Sequence, residues 1–311
     1  QGIVSKWHNL HASFEPNVEK GKVSIVTQSG ALGGQILPML NAEKIGISNF
    51  ISIGNCIDIS ISDLLPFLAE DPNVEVVTLY VEGFKKGRRF LFEAKKFCRK
   101  KPLIVLKSGR FKAGARAALS HTASLSGSDR IFDAVFKQVG AIRVYHEVEL
   151  INSLKAICKQ YPPRFRKAVI ITNSGGPGVI LTDLLEERKI EVPPLPIEKE
   201  SEIKNAIPYA STRNPVDLTA VAGYKEYRKC LEAIDSLGWL IIVLCIPPTF
   251  LDPVEVAKAI IDTNLQSPVL CLFSGEGIEK ARAILEQNNY PVFSSTYDLA
   301  CAANALLALK T

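Results

Sequence analysis

The stretch VSIVTQSGALGG, residues 23–34, decides how the chain is read. Val23–Thr27 has the β-branched bias of a strand, Ser29-Gly30 breaks it, and a helical pattern runs on from Ala31. A second stretch, KAVIITNSGGPGVI at residues 167–180, repeats the plan. There Pro177 falls in the first helical turn, where a missing N–H is tolerated. The likeness between the two is architectural, a weak internal repeat.

Short apolar runs suited to the strands of a covered parallel sheet recur on either side: 50–54, 74–81, 102–107, 239–246, 268–273 and 291–295. Helical patterns separate them, at 31–44, 61–71, 87–99, 128–140, 147–160, 177–190, 223–237, 253–264, 276–287 and 296–310. This alternation predicts an α/β fold built of βαβ units, with doubly wound parallel sheets. The segment QYPPRFRK, residues 160–167, supplies the boundary, because a residue before proline is pushed out of the helical region. Two domains follow, 1–162 and 163–311. Gln1 is not Met, and residues 1–16 show no clear period, so a fragment or processed chain is expected.

Both Ser-Gly turns place glycine where a strand ends and a helix begins. Uncovered backbone N–H groups and the positive end of the helix dipole make such a turn an anion site without a charged side chain. The candidates for holding phosphate are Gln28, Ser29 and Gly30 in the first turn, and Asn173, Ser174, Gly175 and Gly176 in the second. Neither turn carries the GK[ST] of a Walker A loop or a clean GxGxxG. A tight turn that binds nothing satisfies the same pattern, but two in the same structural slot favour function.

The alternation breaks at KSGRFKAGARAALSHTASLSGSD, residues 107–129. It reads as a long loop, rich in small residues, of the kind that carries function. Arg110, Lys112 and Arg116 make it cationic ahead of His121, and Ser126–Asp129 can cap the next helix. A neutral, correctly oriented imidazole can take a phosphoryl group, and a carboxylate on its other nitrogen fixes the tautomer. Glu82 is the candidate, at the end of VVTLYV and at the carboxyl edge of the sheet; a solvated loop carboxylate is the other reading. His8, His11 and His146 lack such a setting and read as structural or solvated.

The composition narrows the field. At 47% hydrophobic and 22% charged, the 311 residues suit a globular protein with a core. A net charge of +5 with scattered basic residues offers no nucleic-acid stripe and slightly favours small anions. Seven dispersed cysteines, with no CxxC pair, indicate buried thiols in a reducing compartment rather than disulfides or a metal site. No apolar run is long enough to span a membrane and no signal peptide is evident, so a cytoplasmic location is expected.

Five segments together resemble the ADP-forming (NDP-forming) acyl-CoA synthetases, relatives of succinyl-CoA synthetase. GRFKAGARAAL followed by SHTASLSGSD is similar to that family's phosphohistidine loop. TQSGALG and TNSGGPGVI resemble its two phosphate-facing helix starts. SIGNCIDISISDLLPFLAEDPNVEVVTLYVEG resembles its SxGNxxD stretch and the strand ending in a histidine-supporting glutamate, and RNPVDLTA resembles a later signature. The resemblance spans the chain, with the motifs in family order.

It implies two flavodoxin-like domains and a relay: phosphate attacks an acyl-CoA, His121 takes the phosphoryl group from the acyl phosphate, and ADP receives it to give ATP. Glu82 would orient His121, and the two glycine turns would hold the phosphate at either end. CoA, ADP or ATP, phosphate and Mg²⁺ are implied, the nucleotide and metal held mainly by an ATP-grasp β subunit or domain. An N-terminal CoA-binding domain, a small acyl-CoA substrate and an oligomer are also implied, with no nucleic acid or membrane partner. The sequence departs from the family pattern at Ile59, Ser60 and Ile61, where acidic residues are common, and reads HTASLSG where HTGALAG is usual; the acyl preference stays open. The competing reading is an acyl-CoA-sensing regulatory region of a protein acetyltransferase. A flavin-binding flavodoxin fits the fold but lacks an aromatic pair to sandwich the ring.

Overall fold

The computed structural model describes residues 2–122 and 128–309, which fall into two compact units, Gln1–Ile151 and Asn152–Thr311. The first contains β1 (Gly2–Ser5), β2 (Leu10–Ser13), β3 (Lys20–Thr27), α1 (Gly30–Ala42), β4 (Ile47–Ser52), α2 (Ile61–Glu70), β5 (Val76–Val81), α3 (Gly87–Phe97), β6 (Leu103–Lys107), α4 (Lys112–Thr122), α5 (Asp129–Val139), β7 (Ile142–Val144) and the start of α6 (Glu147–Lys159). The second holds the rest of α6 with β8 (Ala168–Thr172), α7 (Gly175–Glu187), α8 (Ile197–Ala206), β9 (Val216–Asp217), α9 (Tyr224–Ile234), β10 (Leu240–Cys245), α10 (Pro253–Asp262), β11 (Val269–Phe273), α11 (Glu279–Gln287), β12 (Val292–Phe293) and α12 (Thr296–Leu307). The division falls inside α6, ahead of the Pro162-Pro163 pair.

Among the described residues the first sheet runs β2-β1-β4-β3-β5-β6-β7 and the second β12-β11-β10-β8-β9. From β4 to β7 the first sheet is parallel, and the second is parallel throughout. Renumbered within each unit, both parallel sheets have the flavodoxin order 2-1-3-4-5. The expected α/β class of two doubly wound, flavodoxin-like domains is therefore what the chain forms. The order reverses between β3 and β5 in the first unit and between β8 and β10 in the second, and each reversal opens a crevice at the carboxyl ends of the strands.

Helices cover the sheets because their apolar stripes have nowhere else to go. In the first unit α2, α3 and α5 bury Leu65, Leu68, Phe90, Phe97 and Phe136 against β5 and β6. Phe84 stacks on Phe90 with centroids 3.8 Å apart. α1 buries Ile36, Leu37 and Leu40 against β3 and β4. In the second unit α8–α11 share one core cluster, while α7, α12 and Ala156 of α6 share another.

The long loop expected at 107–129 is corrected in part: residues 112–122 form α4. Ala113, Ala115, Ala117 and Ala118, with Lys112 and Arg116, are good helix formers, and their smallness imitated a loop composition. The opening segment, which shows no period, forms the β1–β2 hairpin, and β1 also pairs antiparallel with β4. Its strands are four residues each and β2 is mostly exposed, so no apolar alternation marks them. α8, β7 and β9 were also unforeseen. β9 is two residues long, and β8's edge beside it is partly paired by a side chain: Asn214 accepts from the Ile170 N–H at 3.0 Å and donates to the Ala168 carbonyl at 2.9 Å.

A buried ion cluster ties α6 to α11. Lys155, 1% exposed, meets Glu286 at 2.6 Å and donates to the Val292 carbonyl at 2.7 Å, and Lys159 pairs with the same carboxylate. Burial pushes the Glu286 carboxyl up, but the two ammonium groups and the Val292 N–H more than offset it, so it lies below its ordinary value. A depressed carboxyl contributes stability that is complete above its unfolded value of 4.5 and lost as pH falls through the folded value. Thermal melting should therefore weaken on acidification below that range. Glu286→Gln should remove that dependence and cost about 3–5 kcal/mol at neutral pH, because it leaves Lys155 buried without its carboxylate. An unchanged melting profile would show the cluster to be inert.

Candidate functional site

The turn after β3 is built by four consecutive residues with separate tasks. Thr27 Oγ1 donates to the Ser29 carbonyl at 2.7 Å and accepts from the Ser29 N–H at 3.0 Å, which fixes the turn. Gln28 reaches across the switch point. Its Oε1 accepts from the N–H groups of Glu82 at 2.6 Å and Gly83 at 3.2 Å, and its Nε2 donates to the Gly83 carbonyl and Cys56 Sγ, each at 3.1 Å. Ser29 caps α1, accepting from the Leu32 N–H at 3.4 Å. Gly30 opens the helix, and its N–H and that of Ala31 have no acceptor within the helix.

Two further glycines complete the arrangement. A Cβ on Gly33 would lie 2.4 Å from the Phe50 ring, so only glycine lets α1 close onto β4. Gly54 turns the SIGNCID loop at φ +52° and Cys56 follows at φ +53°, bringing the Cys56 thiol under Gln28. Lys85 Nζ holds the same loop through the Cys56 carbonyl at 3.1 Å.

The second unit repeats the turn and its side-chain bridge at its own switch point. Thr172 Oγ1 bonds the carbonyl and N–H of Ser174 at 2.8 and 2.9 Å. Asn173 bridges from β8 to the end of β10, donating to the Ile246 carbonyl at 3.0 Å and accepting from its N–H at 2.9 Å. A Cβ on Gly178 would press on Thr172 at 3.3 Å, the counterpart of Gly33. Ser174 makes no side-chain cap, so the N–H groups of Gly175 and Gly176 face outward without one. Asp217 was not foreseen: its carboxylate stands beside Gly175, where a Cβ would meet Oδ2 at 3.0 Å, and it accepts from the Thr219 N–H at 2.8 Å. Only its place inside RNPVDLTA signalled it.

Glu82, half-buried, lines a cavity of about 1380 Å³ together with Gln28, Ser29 and Gly30. Gly114 and Ala117 of α4 line the same cavity, so the helix that carries His121 borders the space that holds the first turn and Glu82. The His121 side chain lies outside the described part of the structure, as do Ser126 and Gly127. Burial raises the phenol of Tyr80 above its ordinary value of 10, and the Glu82 charge adds to the rise, so Tyr80 is a protonated donor in the cavity wall at neutral pH.

The cations ahead of His121 divide into two groups. Lys112 and Arg116 are exposed. Arg110 stacks on Tyr145 at 4.1 Å and faces Asp129 at 3.8 Å, while Arg143 pairs with Asp129 at 2.5 Å. Asp129 follows Ser128, the N-cap residue of α5, which makes no side-chain cap. Lys107 was missed by sequence reasoning because it ends an apolar strand. It is 2% exposed, donates to the Ser108 carbonyl and lies over the Phe132 ring at 4.5 Å, and burial lowers its pKa.

Among the described residues no three His, Cys, Asp or Glu side chains gather to hold a metal ion, and no helix is long and apolar enough to cross a membrane. The seven cysteines form no disulfide; five are buried, and burial pushes the Cys245 thiol up to about 12, leaving it unreactive.

The doubly wound sheets are of the flavodoxin class, and residues 20–157 match the family model for the succinyl-CoA ligase like flavodoxin domain. The chain is 39% identical to acetate–CoA ligase [ADP-forming] II subunit alpha of Pyrococcus furiosus, over 98% of this chain and 69% of that protein. It is 38% identical to the corresponding I subunit alpha, over 94% of this chain and 65% of that protein. Its fold matches acetyl-coenzyme A synthetase 1 of Ca. Korarchaeum cryptofilum, solved in complex with phosphate and ADP, with a TM-score of 0.92 and 33% identity over 99% of this chain and 69% of that one. The chain belongs to the family of ADP-forming acetate–CoA ligase alpha subunits, and spans about two thirds of the length of those relatives.

The staple is testable by itself. Gln28→Leu leaves the Glu82 and Gly83 N–H groups without their acceptor, at about 1–3 kcal/mol for each unmade bond. The melting transition should fall by several degrees, and Asn173→Leu should act alike in the second unit. Unaltered melting in both variants would show that solvent replaces the staple.

Proposed function

We propose that this chain is the phosphohistidine-carrying module of an ADP-forming acyl-CoA synthetase, catalysing with its partners acyl-CoA + ADP + phosphate ⇌ carboxylic acid + ATP + CoA. The observation that carries the reading is the shared cavity. Glu82 and the Ser29-Gly30 turn, joined by Gln28, line one space with the helix that bears His121.

Phosphate at the first turn attacks the thioester carbonyl, and CoA leaves as the thiol. A neutral ring nitrogen of His121 then attacks phosphorus, and the carboxylate of the acid leaves. Glu82 accepts the other ring N–H, which holds the tautomer and stabilises the charge that develops on the imidazole. The amides of Gly30 and Ala31 and the dipole of α1 stabilise the phosphoryl oxygens. Phosphohistidine then delivers its phosphoryl group to ADP with the help of Ser174, Gly175 and Gly176 at α7. Gln28 and Asn173 serve through their staples, since their amides are engaged in holding the crevice.

The nucleotide and Mg²⁺ belong to an ATP-grasp β subunit or domain, CoA to an N-terminal CoA-binding domain, and the whole to a cytoplasmic oligomer. Residues 1–162 and 163–311 then correspond to the two succinyl-CoA-ligase-like domains. The relatives named as ligase subunits support this over the acetyltransferase-linked sensor, which is not favoured.

Incubated with the ATP-grasp partner, Mg²⁺ and γ-labelled ATP, the chain should acquire an acid-labile, base-stable phosphate. His121→Ala should carry none, and Glu82→Gln should slow labelling on the order of 10²–10⁴-fold, the range for losing an orienting carboxylate or a general base. Wild-type labelling of His121→Ala would overturn the proposal.

A further inference from the structure

Between the end of β6 at Lys107 and the start of α5 at Asp129 lies the whole segment that carries His121. Its two feet meet in one cluster. Arg110, just past β6, faces the Asp129 carboxylate at 3.8 Å, and Arg143 of β7 pairs with the same carboxylate at 2.5 Å and with Asp133 at 3.0 Å. Both guanidinium groups lie over the Tyr145 ring, at 4.1 and 4.9 Å. Tyr145 is itself held, since its N–H donates to the Glu149 carboxylate in the first turn of α6 at 2.7 Å. On the near side, Gly109 turns at φ +68°, and a Cβ on Gly114 would meet the Gly109 Cα at 3.5 Å, so α4 starts in contact with the foot that Arg110 anchors.

Desolvation makes such a cluster a poor source of stability. The Arg143 side chain is 7% exposed, those of Arg110 and Asp129 28% and 27%. The Nε of each arginine is buried without a hydrogen-bond partner among the described residues. Buried ion pairs are often no more stabilising than apolar side chains of the same size. What apolar contacts lack is the directional match of a planar guanidinium to a carboxylate. The arrangement turns on Asp129, the carboxylate that both arginines share. Without its charge, two like charges would be left on one ring.

We infer that Arg110, Asp129 and Arg143 are positioning residues for His121: they clamp both feet of its segment to β7 and Tyr145, so that the imidazole meets Glu82 in one place. The inference rests on the proposed function, because it takes His121 to be the group that is phosphorylated. None of the three residues lines the cavity, so they act through the segment and not on the substrates. Gly114 and Ala117 of α4 do line it, so a shift at the Arg110 foot is passed to the helix that borders Glu82. Displacing a reacting group by about 1 Å costs on the order of 10²-fold in rate.

The test uses the complete enzyme with its ATP-grasp partner. Labelling of His121 from MgATP, and discharge of the phosphorylated enzyme by acid and CoA, are each followed in a single turnover. Asp129→Asn and Arg110→Gln should each slow both half-reactions by about 10–100-fold. The KM values for ATP, acid and CoA should not move, since no ligand contact is lost. The double variant should be no slower than the slower single variant, because both substitutions break one link. Melting curves fix the folded fraction to which the rates are referred, and Arg110→Gln carries the test should Asp129→Asn not fold. Folded variants that label and discharge at the wild-type rate would show the cluster to be structural and overturn the inference. A raised KM with kcat unchanged, or losses that multiply in the double variant, would overturn it too. Labelled wild type with unaffected variants sinks only the clamp, whereas wild type that takes no label sinks the proposed function and this inference with it.

Discussion

Everything at the first crevice depends on one side-chain amide. Gln28 follows β3, and β5 ends beside it, so four hydrogen bonds to a single residue close the gap where the strand order reverses. An α/β sheet necessarily leaves a crevice at that point, because successive crossovers depart in opposite directions. Without a bridge, the segments after β3, β4 and β5 would have separate freedom. With it, Glu82, the start of α1 and the SIGNCID loop become one preorganised surface, and preorganised dipoles are what phosphoryl chemistry demands of a protein.

The second unit shows that the device is a design and not an accident of packing. Thr172, Asn173, Gly175 and Gly178 repeat the roles of Thr27, Gln28, Gly30 and Gly33. The units differ in what else stands at the helix end. In the first, Ser29 caps α1 and Glu82 lies across the crevice; in the second, α7 has no side-chain cap and Asp217 stands against Gly175. A carboxylate at a helix N-terminus is favoured by the dipole, so Asp217 has a stabilised place beside the start of α7. The same scaffold thus presents one crevice with an acid across from its helix start and another with an acid beside it.

Much of this was legible in the sequence. The two turns, the principal strands and the position of Glu82 follow from β-branched runs ending in Ser-Gly and from the rule that α/β sites gather at strand carboxyl ends. What escaped reading did so for physical reasons. α4 reads as loop in the sequence because alanine and glycine carry no apolar period. The β1–β2 hairpin and β9 bury too little to leave a pattern. The task of Gln28 was invisible because an amide beside a Ser-Gly turn reads as a ligand contact, whereas its bonds run to backbone fifty-odd residues away. Lys107 and Asp217 were hidden by apolar neighbours.

The central claim is that His121 carries phosphate between two crevices, and locating the phosphate on the chain tests it most directly. The enzyme is charged with MgATP, digested at alkaline pH and sequenced by fragmentation that leaves the P–N bond intact. The account predicts the modification on the peptide spanning residues 117–130, at His121. Phosphate found at Ser120, Thr122 or Glu82, or outside that segment, would contradict it.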